Sequence, residues 1–156
     1  MTRLPRRQFV ILATAAAGVC ASGLSARADE ATRVSVNRAG QAIDGYDTRA
    51  YWTVEAARDG TDAHQVDWNG AIWRFATPED AAAFAATPDR FAPRFGGFCT
   101  RAMSMGRLTD GDPQVWRIHD GALYLFAAPK GGRVFDKDPE PMIALARAEW
   151  ETLGRV

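Results

Sequence analysis

The stretch His64-Gln65-Val66-Asp67-Trp68-Asn69-Gly70-Ala71-Ile72-Trp73-Arg74-Phe75 decides the fold class. Two short runs rich in tryptophan and branched residues flank Asn69-Gly70, a pair that tolerates the positive φ of a two-residue hairpin turn. Counting outward pairs Trp68 with Ala71, Val66 with Trp73 and His64 with Phe75, giving an apolar face with His64 at its edge. A second hairpin is read from Val115 to Phe126 around Asp120-Gly121. Its Trp116, Ile118, Leu123 and Leu125 share a core face. Val115, Arg117, His119, Tyr124 and Phe126 form a mixed face, expected either to line a cleft or to meet solvent.

Helix signals sit between and after the hairpins. Thr77-Pro78-Glu79-Asp80 supplies an N-cap hydroxyl, a first-position proline and first-turn acids, and predicts a helix from Pro78 to about Ala86. Thr87-Pro88-Asp89 starts a shorter helical turn ending near Pro93. Asp138-Pro139 opens a helix to about Leu153, with Met142, Leu145, Ala146, Glu149 and Trp150 at helical spacing and Gly154 as its stop. The expected fold is a small single α+β domain, an antiparallel sheet built from two β-hairpins packed with short helices and a C-terminal helix. No internal repeat is read along the chain.

Upstream, Arg6-Arg7 precede an apolar run from Phe9 to Leu24, and Ser25-Ala26-Arg27-Ala28 resembles a cleavage site. Residues 1–28 are therefore read as a twin-arginine signal peptide, with a generic secretory signal as the alternative. The apolar run is shorter than the roughly 20 residues of a stable span, so no membrane anchor is expected after cleavage. Export to the periplasm follows. Residues 29–42 are read as a flexible leader and 43–153 as the domain.

Cleavage removes four arginines and no acids, turning 19 basic and 19 acidic residues into 15 and 19. A mildly acidic mature chain argues against a nucleic-acid partner, which needs a clustered basic surface. Cys20 leaves with the signal, so Cys99 is the single mature cysteine and no intramolecular disulfide can form.

The chain resembles exported bacterial proteins carrying a YHS-type domain, a relative of treble-clef-like metal-binding domains, over roughly Ile43 to Trp150. The resemblance rests on Gly45 to Trp52 (GYDTRAYW), on Trp68-Asn69-Gly70 with Trp73-Arg74-Phe75-Ala76, and on Thr87 to Pro93 (TPDRFAP). It rests also on Phe95-Gly96-Gly97-Phe98-Cys99 and on Asp120 to Leu125 (DGALYL). The multi-cysteine set of the wider superfamily is missing here. Cys99, His64 and His119 are the only strong zinc ligands left, too few for a four-ligand structural site.

Cys99 follows the glycine pair Gly96-Gly97 and precedes Met103 and Met105. In a helix, Cys99 and Met103 would share a face. A thiolate with thioethers is a soft ligand set that favours copper, with His119 as a further ligand. The competing readings are a small buried hydrophobe with gap-filling methionines, or a redox-active or partner-linked thiol. His119 is otherwise a solvated strand histidine, and His64 a half-exposed cap on the core. Asp47 either caps a helix over Thr48 to Trp52 or joins Tyr51 in shaping a ligand or cofactor pocket near the Cys99 loop, as the resemblance implies. No nucleophile elbow or phosphate loop is present, so an enzyme is not expected. Two functions stay open: a periplasmic accessory protein holding a soft metal such as copper through Cys99, Met103, Met105 or His119, or a non-metal ligand- or partner-binding module with Cys99 buried and inert.

Overall fold

The computed structural model describes residues 31–156, so the signal peptide read at 1–28 lies outside the described residues. In chain order the elements are α1 (Ala50–Thr53), β1 (Thr61–Trp68), β2 (Ala71–Phe75), α2 (Pro78–Ala86), α3 (Pro88–Phe91), α4 (Thr100–Met103), β3 (Asp112–His119), β4 (Ala122–Phe126), α5 (Pro129–Phe135) and α6 (Pro139–Leu153). The class is α+β, and the two hairpins form separate two-stranded antiparallel sheets, β1-β2 and β3-β4.

In the first hairpin Trp68 pairs with Ala71 and Val66 with Trp73, but Phe75 lies opposite Thr61 rather than His64. A bulge between Thr61 and Gln65 takes up the difference. Thr77 caps α2 by accepting the Asp80 N–H (3.2 Å), with Pro78 at the first helical position. The helix thereby carries Phe84 onto the sheet. Phe84 is fully buried, stacked on Trp73 at 5.0 Å and beside Phe75 at 5.0 Å. Removing such a side chain from water stabilises by about 2 kcal/mol, and each aromatic pair adds about 1 kcal/mol.

The second hairpin buries the β4 part of the expected mixed face, while Arg117 and His119 on β3 stay partly exposed. Leu123 and Leu125 pack with Ile43 and Tyr51 on one side, while Ala122, Tyr124 and Phe126 pack with Phe135, Met142 and Ile143 on the other. β4 is buried on both faces because α5 and α6 cover the side expected to be open. At the rim of that side, Arg117 donates to both Asp136 oxygens (2.6 and 2.7 Å), an arrangement that holds the Asp136 carboxyl below its usual range.

The structure contains the internal repeat that the sequence reading missed. Gly45-Tyr46-Asp47-Thr48-Arg49-Ala50 and Gly97-Phe98-Cys99-Thr100-Arg101-Ala102 each lead from a tight turn into a short helix. The turns match residue for residue in backbone: Ile43, Asp44 and Gly45 have φ of 42°, 57° and 82°, and Phe95, Gly96 and Gly97 have 56°, 59° and 86°. Asp47 N–H donates to Arg58 O (2.8 Å) as Cys99 N–H donates to Thr109 O (2.7 Å), and Gly60 N–H meets Gly45 O (3.0 Å) as Gly111 N–H meets Gly97 O (3.1 Å). Each half then runs an eight-residue strand, a bulge, a two-residue turn, a five-residue strand and a helix begun by proline. The halves part company at the end, where α3 makes one turn and α6 continues for 15 residues.

Residues 31–42, expected as a flexible leader, are part of the domain. Arg33 N–H donates to Gly154 O (2.7 Å), Ser35 N–H to Gly96 O (2.9 Å) and Ala42 N–H to Ile72 O (2.9 Å). Thr32 N–H donates to the Asn69 side chain (3.1 Å) and the Ser35 hydroxyl to Asp110 (2.7 Å). The polar residues of this segment thus serve as backbone and side-chain partners of the core elements.

Candidate functional site

Cys99 is the N-cap of α4. Its sulfur accepts the Ala102 N–H at 3.4 Å, its backbone bridges to Leu125, and it is buried in the same apolar cluster as Met103 and Tyr124. Met103, one turn on, is fully buried. Met105 is half exposed, accepts from the Arg107 guanidinium at 3.8 Å, and lines a shallow hollow with Val134, Pro141 and Leu145. His119, at the end of β3, sets Nε2 2.8 Å from Glu140 Oε1 and its ring edge-on to Phe135. The four soft-metal candidates thus occupy different surroundings: Cys99 and Met103 share a core cluster, and Met105 and His119 stand outside it. Among the described residues, the one group of His, Cys, Asp and Glu atoms close enough to share an ion is His119, Asp120 and Glu140, within 4.8 Å of one another and without Cys99. Asp120 and Glu140 are exposed. His64 is half-buried on β1, in step with Val66 and Trp68, but lies in the bulge and has no partner on β2.

Asp47 has no exposed surface and is engaged on every side. One oxygen accepts the Arg49 N–H (2.8 Å), the other accepts the Ala76 N–H (2.9 Å), and Arg58 lies 3.7 Å away. Arg58 and Arg49 reach on to Asp80 at 3.6 Å each, and Arg49 also lies over the Phe91 ring at 4.0 Å. Burial raises the Asp47 carboxyl above its usual value, against the two N–H groups that lower it. This carboxylate ties the turn before α1 to the end of β2 and is not the expected N-cap, since α1 starts at Ala50 with Arg49 in the cap position. Tyr51 is buried too, and its hydroxyl donates to Pro113 O (2.9 Å). Its ring leans on Trp116 at 5.1 Å, and with Trp52, Glu55 and Gln114 it lines an open hollow on the far side of β3.

A further set of converging side chains, lined by different residues from the larger and more open hollow beside Tyr51, was not picked out from the sequence. A hollow of about 440 Å³ lies where the two halves, residues 32–34 and α6 meet. Trp68 and Trp73 line it from the first half, Phe95 and Tyr124 from the second, and Trp150 from α6. Phe95 packs against Trp150 at 6.0 Å and Tyr124 at 6.2 Å, and Trp68 against Trp73 at 5.6 Å, so the walls are two aromatic banks. Arg94 and Arg147 stand on its rim, both exposed and, among the described residues, without a carboxylate partner; Asp89 is the one acid that lines it. Burial raises the Tyr124 phenol, and the two arginines nearby act against that rise. Only the aromatic composition of Trp68, Trp73 and Trp150 hinted at this place, because its lining spans residues 32 to 150.

In comparison with known proteins, the chain matches no family model, no curated protein and no solved structure.

Proposed function

We propose that this is a single-domain binding module, exported by the twin-arginine route, that holds a small non-metal ligand in the hollow between its two halves, with Cys99 as a buried structural residue. The observation that carries the reading is the hollow itself: about 440 Å³, walled by two aromatic banks and rimmed by unpaired arginines. That volume falls in the range of small-molecule sites, which combine an apolar lining with a few polar groups that orient the ligand. The alternative use of Cys99, as a soft-metal ligand, has weaker support, since Met105 and His119 stand outside the Cys99 cluster.

The five tryptophans provide the test. Trp68, Trp73 and Trp150 line the hollow, whereas Trp52 and Trp116 line the open one on the far side. In a proton–nitrogen NMR titration with a panel of small aromatic and aliphatic compounds, saturable shifts are expected at the indole N–H signals of the first three and not at the other two. Binding that moves only Trp52 and Trp116, or none, overturns the proposal.

A further inference from the structure

We infer that the ligand class of this hollow is a flat aromatic monocarboxylate, its ring against the aromatic lining and its carboxylate on Arg94 and Arg147. The inference rests on the proposed binding role of the hollow and adds the chemistry of what enters it. The first line of support is charge. Two guanidinium groups without acidic partners share one rim with a single acid, Asp89, so the mouth keeps one net positive charge. A guanidinium offers paired N–H donors in the geometry of a carboxylate, and such charge-assisted bonds are about twice as strong as neutral ones.

The second line is shape. Trp68, Trp73, Phe95, Tyr124 and Trp150 all line the hollow, Trp68 and Trp150 being the most exposed, and they come from strands, α6 or the tight turn before Cys99. Aromatic side chains favour an aromatic ligand, since a ring pair with centroids about 4.5–7 Å apart gains attraction beyond the area it buries. Tyr124 lines the same hollow, with Arg94 and Arg147 close enough to its phenol to act on it electrostatically. Asp89 sets the limit on charge: it favours one anionic group over two, and it disfavours a ligand whose second acid would fall beside it.

The experiment compares 1-naphthylacetate with the isosteric neutral 1-naphthylacetamide by calorimetry and by the same indole NMR signals. The acid is expected to bind at least tenfold more tightly than the amide. The double variant Arg94→Gln/Arg147→Gln, altered at two exposed positions, is expected to abolish that preference by weakening the acid far more than the amide. Asp89→Asn is expected to tighten the acid several-fold. Equal binding of acid and amide at Trp68 and Trp150, or a preference that survives the double variant, overturns the ligand class and leaves the hollow as a binding site. Failure of every compound, these two and the wider panel, to move the Trp68, Trp73 and Trp150 signals overturns the binding role itself.

Discussion

Asp47 and Cys99 occupy the same place in two copies of one backbone motif, yet they hold their surroundings together by opposite means. In the first half a buried carboxylate gathers two backbone N–H groups, Arg58 and, through it, Asp80. In the second half the equivalent atom is a sulfur that accepts one N–H within an apolar cluster, and Gly131 stands where Asp80 would be repeated. The chain path is therefore set by the positive-φ turn and the turn-to-strand hydrogen bonds, which both halves keep. The side chain at the junction is free to differ so long as it accepts an N–H. What the second half gives up in ionic ties it recovers in burial, since α6 is long enough to cover both Cys99 and the outer face of β4.

The sharpest way to break the comparison is to remove each junction residue. Asp47→Ala is expected to destabilise by about 3 kcal/mol, because Arg58 and two N–H groups lose their acceptor in a buried site; Cys99→Ala is expected to cost about 1 kcal/mol. Urea denaturation at neutral pH reads both, and equal losses would show that the ionic ties contribute nothing extra. The two also differ with pH. The Asp47 carboxyl holds its proton more readily folded than unfolded, so the protonation-linked part of stability is fullest below the ordinary carboxyl value of 3.8 and is lost as pH rises through the raised value. What remains at neutral pH is the ties of the ionised group. Asp47→Cys, which copies the second half, is expected to remove that slope.

A smaller effect separates the turns. Gly96 and Asp44 share one left-handed conformation, but a Cβ at Gly96 would lie 2.0 Å from Arg33 O. Gly96→Ala is expected to cost about 2 kcal/mol and to speed amide exchange at Arg33 and Ser35, while Asp44→Gly stays within about 0.5 kcal/mol. Matching losses at the two sites would mean that the docked segment adds nothing. The smallest effect is a gain. Thr48 and Thr100, again equivalent, are fully buried with hydroxyls that find no partner among the described residues. Replacing either by Val is expected to stabilise by about 1 kcal/mol, and thermal melts of the two single variants should rise together.

Much of the fold was legible because its signals are local. Asn69-Gly70, Asp120-Gly121, the Thr77-Pro78 cap and the Asp138-Pro139 start each act over a few residues, and each element forms where they place it. The His64 pairing failed because a bulge is invisible to counting, and the burial of the β4 mixed face could not be seen because what covers it, α5 and α6, comes later in the chain. The repeat escaped because Asp47 and Cys99 differ in chemistry and α3 and α6 in length, so that only Gly, Thr, Arg and Ala are shared in the key motif. Segment 31–42 looked unstructured because its order comes from backbone partners at Gly96, Ile72 and Gly154, which hydropathy does not register. The hollow escaped for the same reason, being assembled from five separate parts of the chain.

The pairing of Arg33 with Gly154 has a kinetic consequence. It closes a loop over nearly the whole domain, and loops that long are entropically the last to shut during folding. Both halves can assemble their hairpins first, after which residues 31–36 thread back between the Gly96 turn and the end of α6 like a zip fastener. Since Thr32 and Val34 also border the hollow, closing that loop is expected to complete its wall. A version of the chain re-joined at this seam and opened at the Gly121 turn should fold along a different route to the same cavity.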